Sequence, residues 1–310
     1  MKNITALSFL VIIIFSLSLS YTAYGQEEKR ERNYGFSFGT QFGFIHGQSL
    51  EFVYPIYTKG ELLSELRWDI KPVFYYGFQL DFNRIDLMSG PGFFASVSFK
   101  AGVPADSGVM EDRDWMSTEN SNLTHFSHHT NKTNEFYSLV AAIGASIPVK
   151  TYFYIKPFLS GSWTRFSFAA RDGYGIYPGG PVSFEGEEVI RYKQDWLLLA
   201  AGVSIGTNIL SPFSFDISFQ ISPFTYCAAT DEHLDESKRI TYHDYTAWGF
   251  FLEPAGRFSF NTQRIEFSLE VAWRYMGKTR GNSFGSDGSF GNAGAGFSFI
   301  DTRLAVKLRI

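Results

Sequence analysis

From Arg264 to Tyr275 the chain alternates without a break. Ile265, Phe267, Leu269, Val271, Trp273 and Tyr275 fall on one side; Arg264, Glu266, Ser268, Glu270, Ala272 and Arg274 fall on the other. Period two over such a length specifies a β-strand with one apolar face. The pattern recurs. Phe213, Phe215, Ile217, Phe219 and Ile221 stand against Ser214, Asp216, Ser218, Gln220 and Ser222. Phe36, Phe38, Phe42 and Phe44 alternate with glycines and polar residues, and Leu304, Val306, Leu308 and Ile310 lie opposite Arg303, Ala305, Lys307 and Arg309. A soluble sandwich also alternates. These runs, however, exceed the five or six residues usual for soluble strands. Their polar face also carries charges of both signs, as a lumen filled with ion pairs would. The pattern therefore predicts an all-β fold, an antiparallel transmembrane β-barrel with its apolar face on lipid.

Ten strands are predicted, near 34–46, 62–82, 92–104, 134–148, 151–170, 189–207, 212–227, 244–259, 263–277 and 293–310. Short links at Asn83–Pro91, Pro148–Thr151, Asn208–Pro212 and Phe260–Arg264 read as periplasmic turns. Longer stretches at 47–61, 105–133, 171–188, 228–243 and 278–292 read as extracellular loops. Short and long connections alternate in step, as in an up-and-down barrel of the bacterial outer membrane. Ten strands leave a lumen filled largely by side chains, which argues against a porin.

Residues 1–25 read as an export signal: Lys2, an apolar run from Leu7 to Leu19, then Ala23-Tyr24-Gly25 at the cleavage position. The mature barrel is then a single domain, 26–310. The aromatic content of 18% and 29 glycines suit strands and turns. A mean hydropathy of −0.09 is too polar for a helical membrane protein. The net charge of −4 argues against nucleic acid as a partner. Cys227 is the one cysteine, so no internal disulfide forms.

Two stretches carry candidate chemistry. One is Asp112-Arg-Asp114-Trp115-Met116; the other is Asp231-Glu-His233, followed by Lys238-Arg-Ile-Thr-Tyr242. Each sits in a polar segment between strands, at the extracellular end. Residues i and i+2 of an extended chain face the same way. If the fold joins the two pairs, a carboxylate pair faces an Asp–His pair and a water between them can be activated. His233 is the candidate general base, since an imidazole titrates near neutrality. Asp231 would orient it, and Asp112 and Asp114 would position the water. The alternative is solvated loop charge on a barrel that acts as an adhesin or structural protein. A lipid-hydrolysing barrel would need a Ser–His pair, and none stands out. His125, His128 and His129 offer a Zn2+ pattern without a matching carboxylate signature, so no metal is assigned.

The same stretches resemble the omptin family. Asp112-Arg-Asp114-Trp115-Met116 looks like the omptin signature Asp-x-Asp-Trp-Met. Asp231-Glu-His233-x-Asp235 with Lys238-Arg-Ile-Thr-Tyr242 resembles a second omptin stretch. Arg165-Phe-Ser-Phe-x-Ala-Arg171, Tyr192-Lys-Gln194 and Asn134-Glu-Phe136 follow the same order. The resemblance implies a ten-stranded outer-membrane endopeptidase of the aspartic type, with Asp112, Asp114, Asp231 and His233 catalytic and the site facing the cell exterior. It implies peptide or protein substrates of cationic character, cut beside basic residues. Glu51, Met110 and Ala229 map to the substrate pocket, where Ala229 stands in place of a second acid. His125 falls where an acid would line the other side of the cut. The resemblance also implies lipopolysaccharide as an activator, with Arg165 as one ligand. Glu188 and Ala247 stand where further basic ligands are expected. No other cofactor is implied.

Overall fold

The computed structural model describes residues 34–55, 62–84, 91–117, 122–150, 152–234 and 239–310. The predicted export signal, the predicted Asn83–Pro91 turn beyond Arg84, and Asp235 and Lys238 of the second motif fall outside those residues. Among the described residues fourteen strands form one sheet. They are β1 (Tyr34–Tyr54), β2 (Ser64–Arg84), β3 (Gly92–Gly102), β4 (Ala105–Asp114), β5 (His125–Lys150), β6 (Phe153–Tyr177), β7 (Gly180–Ser183), β8 (Glu188–Thr207), β9 (Phe213–His233), β10 (Ile240–Ala247), β11 (Phe251–Asn261), β12 (Ile265–Met276), β13 (Arg280–Gly285) and β14 (Phe290–Arg309).

All pairings are antiparallel, and β1 closes on β14 from Ser37↔Arg309 to Tyr54↔Asn292. The lower ring runs β1-β2-β3-β5-β6-β8-β9-β11-β12-β14, ten strands around. Seven of these continue upward. Above β3, β11 and β12 the wall is completed by β4, β10 and β13, so the upper ring is again ten strands. The short β7 only extends the β6 hairpin. The breaks are stitched: the Thr225 hydroxyl accepts from Gly249 N (2.7 Å), and the Thr279 hydroxyl accepts from Ala295 N (2.9 Å).

The ten-strand count thus holds for the wall, but the predicted long loops do not. Most of 47–61, 105–133, 171–188, 228–243 and 278–292 that is described is strand. β8 shows why. Its outward residues below are Ile205, Val203, Leu199 and Leu197; above they become Asp195, Lys193 and Arg191. Once the outer face meets water, the apolar half of the alternation disappears while the hydrogen-bond ladder continues. A polar strand above the membrane reads as loop.

Two bulges re-phase the alternation. In β2 the register shifts at Lys71-Pro72, and in β9 at Ser222-Pro223. Proline lacks the N–H that a ladder needs and is tolerated at such bulges. Below Pro223 the odd residues Phe213 to Ile221 face lipid; above it the odd residues Cys227, Ala229 and Asp231 are buried in the lumen. Below Pro72, Val73 and Tyr75 face inward; above it, Ile70, Trp68, Leu66 and Ser64 do.

The lumen is layered. At the bottom, the Arg257 guanidinium meets Glu270 at 2.9 Å, Arg303 pairs with the same carboxylate, and Lys307 meets Asp81 at 2.9 Å. Lys100 pairs with Asp301, and Arg274 with Glu253 at 2.5 Å. Glu266, Glu270 and Arg274 are lumenal as expected, whereas Arg264 lies exposed in the β11–β12 turn. Above the ion pairs sits an apolar plug of Phe136, Phe166, Phe168, Trp68, Tyr192, Trp196, Phe297 and Phe299. Gln194 of β8 reaches Ser49 of β1, on the opposite wall, at 2.7 Å. Opposing walls therefore touch at this level, across a packed aromatic layer.

Candidate active site

The upper ring holds the candidate residues above this plug. Asp112 and Asp114 lie on β4, not in a loop, and stand opposite Leu66 and Ser64 of β2. Leu66 is buried in the lumen, so its cross-strand neighbours Asp112 and Glu51 face inward with it. Asp231 and His233 close the upper end of β9, beside Tyr192 and Ile190 of β8. β4 and β9 stand four strands apart in the ten-strand ring. Even so, the charges of His233 and Asp231 act on the Asp112 carboxyl. The fold therefore brings the two motifs to one space.

His233 Nε2 lies 2.8 Å from Asp231 Oδ2, and its ring meets Tyr242 edge-to-face at 5.8 Å. When Nε2–H donates to Asp231, the lone pair is on Nδ1. Asp231 is almost fully buried and its Oδ1 has no hydrogen-bond partner. Asp112 accepts from the Ser64 hydroxyl at 3.1 Å. Burial and the Asp114 charge push its carboxyl up to about 7, against the pull of Ser64 and His233. Glu51 is driven well up by burial and by Asp231, Asp244 and Asp112; only the Trp68 indole works the other way. Neither Glu51 Oε2 nor Trp68 Nε1 makes a hydrogen bond of good geometry.

Asp244 of β10 is a member of this cluster that sequence reasoning missed. It is buried, its Oδ1 is unpartnered, and burial with the Asp231 charge raises it to about 7. No motif marks it; only the pairing of β10 with β9 does. Met110 is fully buried against Trp68, within the plug below the carboxylates. Ala229 faces the lumen between Gln194 of β8 and Asp244 of β10.

Other predicted positions lie apart. Arg165 is on the outer wall of β6, held bidentate by Asp195 (2.8 and 3.0 Å) and stacked over Trp163. Glu188 pairs with Arg171 and Arg191. The three histidines are split: His125 stands opposite Asp114, His128 stacks on Tyr174, and buried His129 meets the Asp172 carbonyl at 2.5 Å. Among the described residues no three His, Cys, Asp or Glu side chains are grouped to hold a metal ion. Cys227 is a free thiol buried in the lumen.

These shifts fix a stability trend. Asp112 and Asp244 titrate near 7 in the folded chain and near 3.9 when unfolded. Between those values the folded state holds protons that the unfolded state has lost. Stability therefore falls as pH rises through that window and levels off above it. The urea midpoint of the refolded barrel should be higher at pH 5 than at pH 8, and the gap should narrow in Asp244→Asn. A midpoint that rises with pH over this range would contradict the assignment.

Comparison with known proteins gives three findings. The model of the Omptin family matches residues 32–308. The plasminogen activator of Yersinia pestis is 26% identical over 223 residues, covering 68% of this chain and 66% of that protein, just under two thirds of its length. The crystal structure of the outer membrane protease OmpT from Escherichia coli superposes with a TM-score of 0.80 at 20% identity, over 92% of this chain and 100% of that one.

Proposed function

The chain belongs to the omptin family, and from that premise we propose that it is an endopeptidase cutting beside basic residues, with Asp112, Asp114, Asp231 and His233 as its catalytic groups. It is an outer-membrane β-barrel of a protease family, with its candidate site at the extracellular mouth. The observation that carries the finer reading is the convergence of the Asp231–His233 pair on the Asp112 carboxyl, across a lumen sealed below.

In this reading a water lies between the β4 carboxylates and the imidazole. His233 takes its proton through the ring nitrogen that does not face Asp231, and the hydroxide adds to the scissile carbonyl carbon. Asp231 stabilises the imidazolium that forms. The imidazolium then returns the proton to the leaving amine, and the C–N bond breaks. Asp112, poised near neutrality, can exchange a proton with the water or the tetrahedral adduct. The apolar plug keeps bulk water from entering below and strengthens each charge interaction.

The test is cleavage of a peptide library, varied on both sides of the bond, by the barrel refolded in detergent with and without lipopolysaccharide. Cutting beside Lys or Arg is expected. Activation by the lipid would bring the outer wall around Arg165 into the reading. Absence of any cut by a folded barrel in either condition sinks the peptidase and leaves the adhesin.

A further inference from the structure

Ala229 leaves the pocket one acid short by comparison with the resemblance, yet the space is not short of carboxylate. Asp244 is the cross-strand partner of Ala229. Directly opposed residues on one sheet face hold their Cβ atoms roughly 5 Å apart. An acid at 244 thus reaches the volume that an acid at 229 would occupy, one strand over. Asp244 is only 4% exposed and Glu51 only 2%.

The two carboxylates share an anomaly. Acids lower in the lumen, buried or half-buried, each meet a Lys or Arg of the chain: Glu270, Asp301, Asp81 and Glu253. Asp244 Oδ1 and Glu51 Oε2 are buried and have no partner. Burying a carboxylate oxygen without a partner is costly, and with Asp231 Oδ1 the fold carries that cost three times in one cluster; Asp231 alone of the three has His233 beside it. The remaining Asp244 neighbour is Ser283 of β13, whose hydroxyl favours the ionised carboxylate. Charge from Asp244 and Asp231 reaches Glu51, and charge from Glu51 and Asp244 reaches the Tyr192 phenol. Glu51, Asp244 and Tyr192 therefore lie near one another, and the small Ala229 side chain stands directly opposite Asp244.

We propose that Asp244 is a specificity-determining residue, forming with Glu51 a dicarboxylate pocket for the cationic side chain on the N-terminal side of the cut bond. The acid absent at 229 has its counterpart on the neighbouring strand, and the preference for a basic residue is kept. This inference rests on the peptidase reading. Its ligand is a long organic cation, the end of a Lys or Arg side chain, whose charge the two carboxylates would balance.

Matched peptides test it, Lys against norleucine at that position, with wild type, Asp244→Asn and the double variant Ala229→Asp/Asp244→Asn. The Lys-over-norleucine ratio of kcat/KM should fall about 100-fold in Asp244→Asn, as expected for removing one partner of a buried charge pair. Cleavage of the norleucine peptide should persist, and the double variant should regain most of the ratio. Should Asp244→Asn not fold, Asp244→Ser removes the same charge. A wild type that cuts both peptides equally overturns the inference and leaves the peptidase standing, as does an Asp244→Asn ratio equal to wild type. A wild type that cuts neither peptide overturns the peptidase itself.

Discussion

Replacing His233 by alanine is expected to lower kcat/KM by about 10⁴-fold, the upper range for a general base. Asp231→Asn should cost about 10³- to 10⁴-fold through a different route. The Asp231 carboxylate accepts from Nε2 at 2.8 Å and balances the imidazolium charge. An amide there can donate instead of accept, which favours the wrong tautomer and leaves the imidazolium uncompensated. Asp112→Asn removes the acid poised near 7 on the other wall. In the proposed mechanism these groups serve one water, so their losses should not add: His233→Ala/Asp112→Asn should be little worse than His233→Ala alone. Each variant needs a refolding check by its resistance to unfolding in detergent. A folded His233→Ala barrel that keeps a tenth of the activity removes His233 from the mechanism.

The lower wall was legible because lipid enforces its pattern. Ile265 to Tyr275, Phe213 to Ile221 and Leu304 to Ile310 all face outward as the alternation requires. The upper wall was not, because water on its outer side removes the enforcing term. Asp112, Asp114, Asp231 and His233 were visible as i, i+2 pairs and as motifs, and they do share faces. The meeting of the two pairs depends on ring closure and on the bulge at Pro223, which turns Ala229 and Asp231 inward. A slip of one residue flips every side chain of a strand, and no local pattern announces where that happens. Asp244 was hidden for a related reason: its role follows from a cross-strand register, and its nearest sequence neighbours carry no signature.

The largest loss of stability is expected far from the site, at Glu270. Its carboxylate holds Arg257 at 2.9 Å and also pairs with Arg303, whose other nitrogen reaches Gln41 at 3.1 Å. Glu270→Ala leaves two lumenal guanidiniums facing each other without their shared anion. Removing one partner of a fully buried ion pair costs about 3–5 kcal/mol; this cluster is half-buried, but two cations lose their anion together. The urea midpoint of the refolded barrel should drop accordingly, and adding Arg303→Met should recover part of the loss by withdrawing one stranded charge. Cleavage per folded molecule should stay near wild type, because the plug of Phe166, Phe168, Trp196 and Phe297 separates this layer from the carboxylates above. The contrast with Asp244 isolates the physics. Both are lumenal acids, but removing the one paired with arginines should destabilise, while removing the one without a cationic partner should stabilise at pH 8 and weaken substrate selection. A Glu270→Ala barrel as stable as wild type would show that the ion-pair layer is not what holds the lower ring together.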